Sequence, residues 1–296
     1  MPDTASSTAP IDVVVRANND LPLIEYTLNE LAKQDAEIRL AAFDNASTDG
    51  TLEMLEKHGA NIHHVPKGTY IPGCVINDAM EATESEIVVF INSDCIPQST
   101  DALSNLVRAI EKDTNNAAAF GRQIPHPDCW SLYAKDTEDT YGDGSRHKYW
   151  KNCFSMAFSA VRRSVWQELP FRTDIQYSED IDWTWRARQK GFNIQYAAEC
   201  AVMHSHNYTW KQFYKRQFGE GKADAQIFEW TPWEKTWWRY SVLPFGRQCL
   251  SDARYFLARG KFLSLPSSPY LRTAQLLGRW NGFQEGLASG VKPLNS

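Results

Sequence analysis

Short apolar runs alternate with amphipathic segments along the first 120 residues of the chain. Five mostly apolar runs predict buried strands over 11–15, 39–43, 62–65, 86–91 and 117–120. Between them, apolar residues recur at helical spacing, which predicts helices over 22–32, 47–58, 72–83 and 99–112. Strands and helices in alternation at this spacing indicate βαβ units. We therefore expect an α/β fold with a Rossmann-like, mixed but mostly parallel sheet flanked by helices.

The pattern changes in the second half of the chain. Residues 126–150 are polar and aromatic without clear periodicity, which predicts a long excursion over the site. A strand is predicted over 154–161, a helix over 179–190 and a strand over 194–203, and from residue 209 the pattern is helical with breaks at prolines. We expect a flexible N-terminus over 1–10, an α/β domain over 11–208 and a helical C-terminal extension over 209–296.

Composition excludes several classes of protein. The chain is 43% hydrophobic and 23% charged, which is ordinary for a folded globular protein, and its net charge of −5 argues against a nucleic-acid partner. No apolar run is long enough for a spanning helix. The six cysteines contain no C-x-x-C pair, so we expect free thiols and a cytoplasmic protein.

Tryptophan is concentrated in the last third of the chain, where six of the 11 lie. The segment from Trp230 to Arg239 interleaves aromatic and charged residues. Three interpretations stay open: helix packing against the α/β domain, a homo-oligomer interface, and a peripheral contact with a membrane, at the inner face of the plasma membrane. Lys222, in a predicted helix nearby, is a candidate for a phosphate contact or for a solvated surface.

Polar clusters follow two of the predicted strands. Ligands of parallel sheets bind at the carboxyl ends of the strands, so these clusters carry weight. Asp44, followed by Asn45, Ser47 and Asp49, is either a capped turn or a site for a ribose or base. Asp94, after Asn92 and Ser93, is either a strand-end turn residue or a ligand of Mg²⁺ or Mn²⁺ on a diphosphate.

Two later polar clusters also allow both a structural and a functional interpretation. Glu179 and Asp180 open a helix, where acidic residues complement the helix dipole, but a carboxylate there could also be a general base. His204 and His206 flank one residue at a strand end and so share a face, which favours a metal or phosphate site over two structural histidines.

The order of these segments resembles family 2 glycosyltransferases of the GT-A fold, most of all the bacterial rhamnosyltransferase-like branch. The resemblance covers about residues 11–225. Its carriers are VVVRANND, FDNASTDGT, GCVINDAM, VVFINSDC, SEDIDWTWRARQKGF and AVMHSHNYT. It implies an inverting transfer of a sugar from a UDP-, dTDP- or GDP-linked donor to a glycan or lipid-linked acceptor in cell-envelope polysaccharide synthesis, assisted by Mn²⁺ or Mg²⁺.

The resemblance also implies roles for matching residues. Asp180 is the expected catalytic base with Glu179 beside it, and Asp94 and His204 are the expected metal ligands, with Asn92 and His206 as further candidates. The residues expected to line the donor site are Arg16, Asn18, Asp44, Asn45, Ser47, Asp49, Asn77, Asn92, Ser93 and Asp94.

Two positions depart from the family pattern. Asn92 replaces the first Asp of the family's D-x-D motif, and Arg16-Ala17 stands where many members have Pro-Thr. A non-catalytic glycan-binding or scaffold member of the fold therefore stays open as an alternative. A sugar nucleotidyltransferase is less favoured, because the first strand is not followed by a glycine-rich basic loop.

Overall fold

The computed structural model describes residues 9–145 and 152–294, so most of the N-terminus expected to be flexible and the last five residues of the 126–150 segment lie outside the described residues. An eight-stranded mixed sheet forms the centre of the fold. The strands are β1 (Ile11–Ala17), β2 (Ile38–Asp44), β3 (Asn61–His64), β4 (Ile87–Asn92), β5 (Ile96–Pro97), β6 (Asn116–Ile124), β7 (Phe158–Arg162) and β8 (Asn193–Met203). Their order is β3-β2-β1-β4-β7-β6-β8-β5. β1, β2, β3 and β4 run parallel to one another, whereas β7 is antiparallel to both of its neighbours.

Helices cover both faces of this sheet and continue beyond it. They are α1 (Leu23–Leu31), α2 (Thr51–Lys57), α3 (Pro72–Ala82), α4 (Ala102–Glu111), α5 (Ser131–Tyr141), α6 (Arg163–Glu168), α7 (Glu179–Gln189), α8 (Trp210–Ile227), α9 (Leu243–Ala258) and α10 (Ser267–Ala288). A π-helical turn, Trp238–Val242, leads directly into α9. None of the helices in the described part of the chain is long and apolar enough to cross a bilayer.

Two hydrophobic cores lie on opposite faces of the sheet because strand side chains alternate. Val13, Val15 and Val89 belong to one core, and Val14 and Val88 to the other, all fully buried. This burial on both faces explains why the sequences of β1 and β4 are mostly apolar.

The C-terminal helices are held together by close contact of α8 with α10. A Cβ atom on Gly221 would lie 2.2 Å from the backbone oxygen of Arg279, and one on Gly282 would lie 1.9 Å from that of Phe218. Glycine at these positions therefore allows the two helix backbones to touch.

Two expectations for the middle of the chain were wrong. The segment predicted to lack periodicity contains α5, and the strand predicted over 154–161 begins only at Phe158. Phe154 and Met156 are nevertheless buried, because the turn before β7 packs into the core. All six cysteines are free thiols, as expected.

Candidate active site

The strand register brings the predicted residues at the ends of β1, β2 and β4 to one edge. Arg16 pairs with Asn92 across β1 and β4, and Ala17 pairs with Asp44 across β1 and β2. The Arg16 guanidinium donates to Asn92 Oδ1 at 2.8 Å and to the backbone oxygen of Met156 at 3.0 Å. Its Nη1 also lies 3.8 Å from Glu179 Oε1. Arg16 thus connects the loop after β4 to the start of α7.

Asp94 meets both histidines that follow β8. Asp94 Oδ2 lies 3.6 Å from His204 Nε2 and 3.4 Å from His206 Nε2. Burial favours the neutral form of Asp94, but His204 and His206 outweigh it and lower the pKa of this carboxyl to about 2. Burial, together with His204, lowers the pKa of His206 to about 4. At neutral pH the cluster therefore offers a carboxylate and an uncharged imidazole.

The orientation of His204 is set by Gln123 at the end of β6. Gln123 Oε1 lies 2.7 Å from His204 Nδ1, and Gln123 Nε2 donates to Ser155 Oγ at 2.9 Å. An amide oxygen beside Nδ1 orients the ring so that Nε2 faces Asp94 and is the nitrogen available to a metal. His204 Nε2 is buried and has no hydrogen-bond partner among the described residues.

These atoms fit a divalent cation. Carboxylate oxygen and imidazole nitrogen suit Mn²⁺, and a histidine ligand commonly has a fixed partner on its other nitrogen, as His204 has in Gln123. Cys95 Sγ lies in the same group of potential ligands, but burial raises its pKa well above the usual value and keeps it a thiol. Asn92 Oδ1 is already bonded to Arg16, so Asp94 and His204 are the ligands that the geometry favours.

A residue with a strained backbone conformation directly precedes Glu179 and Asp180. Ser178, directly before α7, has a φ of +59°, a left-handed conformation that is unfavourable for serine. Burial raises the pKa of Glu179 despite Arg16. Burial, with the Glu179 charge adding to it, raises the pKa of Asp180 to about 7. A carboxyl with this pKa can accept a proton near neutral pH.

The last residue of β2, Asp44, has one buried carboxylate oxygen without a hydrogen-bond partner among the described residues. Asp44 is 2% exposed; its Oδ2 accepts from the Ser47 backbone N–H at 3.1 Å, while its Oδ1 has no partner among the described residues. An isolated buried carboxylate oxygen is costly, so this atom is poised for a donor such as a hydroxyl or a base N–H.

The other polar residues predicted in this region join the loops after β1 and β2. Asn18 Nδ2 donates to the Asn45 backbone oxygen at 2.5 Å, and Ser47 Oγ accepts from the Asn19 backbone N–H at 3.0 Å. Asp49 accepts from the backbone N–H groups of Leu21 and Thr51, each at 3.0 Å. Their side chains fix the shape of the edge.

Three further predicted residues have partners of their own. Ser93 Oγ donates to Asp20 and so ties the β4 loop to the loop after β1. Asn77 holds the segment after α6, because its amide donates to the Phe171 backbone oxygen at 2.9 Å and accepts from Trp166 Nε1 at 2.8 Å. Lys222 Nζ lies 2.6 Å from Glu285 and links α8 to α10. The structure does not bring Asn77 or Lys222 into hydrogen-bond contact with the strand-end cluster.

The residues that sequence reasoning missed reach the site from other elements. Gln123 is beside β8 because β6 and β8 are neighbours, and the linear sequence carries no signal for that order. Arg216 of α8 donates to Tyr208 Oη at 3.0 Å, and the Tyr208 ring lies 5.4 Å from that of His206. Arg216 lies on the same predicted helix as Lys222, but the linear sequence carries no signal that links it to the histidines.

Sequence comparisons match the greater part of the chain. The model of a family described as "Glycosyltransferase like family 2" matches residues 9–223. The O-antigen chain rhamnosyltransferase WbaN of Salmonella anatum is 33% identical over 198 residues, which are 63% of this chain and 62% of WbaN. RfbN of Salmonella typhimurium, another O-antigen chain rhamnosyltransferase, is 31% identical over 63% of each chain. The match spans less than two thirds of the length of these relatives.

Solved structures share the fold at low identity. A mannosyltransferase from Pyrobaculum calidifontis, solved with GDP-Man and Mn²⁺, superposes with a TM-score of 0.66 and 17% identity, covering 96% of this chain and 90% of that one. Glucosyl-3-phosphoglycerate synthase from Mycobacterium tuberculosis, solved with Mg²⁺ and UDP, gives a TM-score of 0.55 and 19% identity over 73% and 78% of the chains. The likeness confirms the expected GT-A fold.

Proposed function

Since this chain belongs to glycosyltransferase family 2, we propose that it is an inverting transferase that moves a sugar from a nucleotide diphosphate donor to a glycan or lipid-linked acceptor. The observation that carries the proposal is the bridge made by Arg16. This side chain bonds Asn92, two residues before Asp94, and lies beside Glu179, which precedes Asp180. A metal-ligand set and a titrating base thereby belong to one connected site.

The donor is proposed to lie along the edge formed by β1, β2 and β4. The free Asp44 Oδ1 would accept from the nucleoside, and the loops joined by Asn18, Asn45, Ser47 and Asp49 would shape its pocket. Asp94 and His204 would hold Mn²⁺ or Mg²⁺, which supplies Lewis-acid neutralisation of the diphosphate leaving group. Arg16 adds a fixed positive charge beside the same loop.

The acceptor is proposed to be activated by Asp180. Its raised pKa lets the carboxylate take the hydroxyl proton as the oxygen attacks the anomeric carbon. Attack on the face opposite the departing diphosphate inverts the configuration, and no covalent intermediate with the protein is needed. Glu179, held by Arg16, would keep a second negative charge next to Asp180 and so maintain its basicity.

The biological setting proposed here follows from the relatives. WbaN and RfbN are named for O-antigen chains and for rhamnosyl transfer. A deoxyhexose or hexose donor, an envelope glycan as acceptor and a cytoplasmic location at the inner face of the plasma membrane agree with that similarity.

The test combines donor binding with turnover. UDP-, dTDP- and GDP-linked sugars would be titrated into the protein by calorimetry with and without Mn²⁺, and release of the nucleotide diphosphate would then be followed with glycan acceptors. We expect one nucleotide class to bind in a metal-dependent manner. Asp94→Asn should remove the metal dependence, and Asp180→Asn should keep binding but lower turnover by about 10²–10⁴-fold.

Glu111→Gln is a matched control, since Glu111 is an exposed carboxylate at the end of α4, and it should behave like the unmodified protein. Absence of binding by every nucleotide, with and without Mn²⁺, would refute the transferase and favour a scaffold role. Unchanged turnover in Asp180→Asn would refute the assigned base while leaving the family fold intact.

A further inference from the structure

The outer side of α9 carries leucine and arginine in a repeated pattern. Leu243, Leu250 and Leu257 are exposed and lie seven residues apart, so they line one side of the helix. Arg247 and Arg254 each follow a leucine by four residues and therefore lie next to this line. We name these five residues the α9 face. Asp252 and Phe256, on the opposite side of the helix, are fully buried.

Large aromatic and apolar side chains extend the α9 face at both ends. Trp237 and Trp238 are about half exposed immediately before it, and the π-helical turn places Trp238 about one turn ahead of Leu243. Beyond α9, Phe262 is 60% exposed and Leu263 is 99% exposed. Trp230, by contrast, packs on Phe283 with ring centroids 5.3 Å apart. The tryptophan-rich segment is thus divided into a packed part and a solvent-facing part.

The charge of this surface is opposite to that of the whole chain. Residues 231–263 contain six Lys and Arg but only two acidic residues, of which Asp252 is fully buried, whereas the chain has a net charge of −5. Within the part of the chain that the structure describes, Arg247, Arg254 and Lys261 have no carboxylate within salt-bridge distance. Arg259, at the end of the helix, is paired with Glu138 at 3.0 Å. The unpaired cations flank the leucines.

We propose that the α9 face docks on the surface of an anionic phospholipid bilayer. Leucines would enter the boundary of the acyl chains, while the long arginine side chains reach lipid phosphates and the exposed tryptophans lie at headgroup depth. A second copy docked symmetrically would bring this basic face against itself, so charge complementarity favours the anionic bilayer. The choice also rests in part on the proposed function, since a lipid-linked acceptor is found at such a surface.

The test is co-sedimentation of the full chain with vesicles of phosphatidylcholine alone or mixed with phosphatidylglycerol. We expect binding to the anionic vesicles that weakens with salt. Arg247→Gln with Arg254→Gln should lower the partition coefficient roughly 25-fold, at about fivefold per basic residue. Leu250→Gln with Leu257→Gln should lower it by roughly tenfold or more. Arg108→Gln on α4 with Lys112→Gln directly after it, and Leu287→Gln on α10, are the matched exposed controls and should bind normally.

Three results would overturn the proposal. The first two are equal binding of the Arg247/Arg254 variant and its control at Arg108 and Lys112, and no vesicle binding at all. The third is a dimer in lipid-free sedimentation velocity that the leucine variant dissociates, which would assign the face to a second copy. Metal-dependent nucleotide binding, measured without lipid on the same variants, separates this proposal from the proposed function. It should not change, and its loss in every sample including the unmodified chain would refute only the transferase.

Discussion

The strand-end edge and the C-terminal helices both bury charge, but they leave it in different states. In the helices, Arg272 Nε donates to Asp252 at 2.8 Å and Nη2 donates to Asp136 at 2.6 Å, while Lys135 Nζ lies 3.2 Å from Asp252. Each charged group of this buried cluster has an opposite charge beside it.

At the strand ends the bonding is incomplete. Asp44 Oδ1, Arg16 Nε and His204 Nε2 are buried without hydrogen-bond partners among the described residues. Burial also raises the pKa of Asp180 to about 7. The paired charges of the helices indicate a structural role. The unpaired buried polar atoms at the strand ends indicate a binding site, because such atoms cost stability and are retained where they serve binding.

The largest loss of stability is expected from substitution of Arg272, in the paired charge cluster of the helices. Replacing it by Met leaves Asp252 buried with only Lys135 as a cationic partner, so we expect a loss of about 3–5 kcal/mol in the free energy of unfolding. Urea denaturation would measure it. Arg259→Met, which breaks an exposed pair with Glu138, should cost at most about 1 kcal/mol. Equal losses would show that the buried cluster is not structural.

The second largest loss of stability is expected from substitution at the glycine contact between α8 and α10. A Cβ on Gly282 would lie 1.9 Å from the Phe218 backbone oxygen, so Gly282→Ala must separate the helices and should cost about 2–3 kcal/mol. Gly246→Ala on α9 meets no atom within 4 Å and should instead stabilise by about 0.5–1 kcal/mol. Thermal unfolding of both variants checks the difference, and a stable Gly282→Ala protein would contradict the packing described here.

At the strand ends, substitution of Gln123 should have a smaller effect, which concerns metal binding. Gln123→Leu removes the partner of His204 Nδ1, so we expect the affinity for Mn²⁺ to fall 10–100-fold. Isothermal titration with the metal alone measures it. Gln195→Leu removes a hydrogen bond to Asn116 elsewhere in the sheet and should leave metal affinity unchanged. If both variants bind Mn²⁺ equally, His204 is not a ligand oriented by Gln123.

The smallest expected effect is the pH dependence caused by Asp180. Its pKa is about 7 in the folded chain and near 3.8 when unfolded, so below pH 3.8 the carboxyl is neutral in both states. As pH rises toward 7, unfolding releases the proton that folding retains, and the stability falls. Asp180→Asn should therefore be more stable than the unmodified chain at pH 8 by about 1–2 kcal/mol, since solvent screening reduces the roughly 4 kcal/mol of a full shift.

Denaturation at pH 8 and pH 4 measures this difference, which should be much smaller at the lower pH. A constant difference between the two variants across this range would mean that the carboxyl is not held neutral by folding. The same titration predicts that turnover rises with pH and levels off above about pH 7.

Features that depend on local interactions could be predicted from the sequence, whereas features that depend on contacts between distant segments could not. The βαβ alternation was predicted correctly because periodicity is local, and Asp44, Asn92 and Asp94 were placed at one edge because parallel strands end together. α5 was missed because Leu132, Tyr133, Ala134 and Lys135 are buried consecutively, which gives no helical stripe. Gln123 could not be found, since its role depends on β6 lying next to β8.

The roles of the individual site residues stay predictions, although the structure explains several of their positions. Asn77 illustrates the limit of a motif, since its amide holds Phe171 and Trp166 in place. The division of the chain at residue 208 also stays a prediction, and α8 begins just after it at Trp210.

The glycine contact between α8 and α10 has a consequence for building chimaeras. Gly221 and Gly282 face backbone rather than side chains, so neither helix can adapt to a foreign partner by changing rotamers. A transplant of α10 from a relative with a larger residue in place of Gly282 would collide with α8, whereas transplanting the stretch from α8 to α10 keeps the matched pair. α8 and α10 therefore have to be exchanged together, and Arg216 of α8 would move with them.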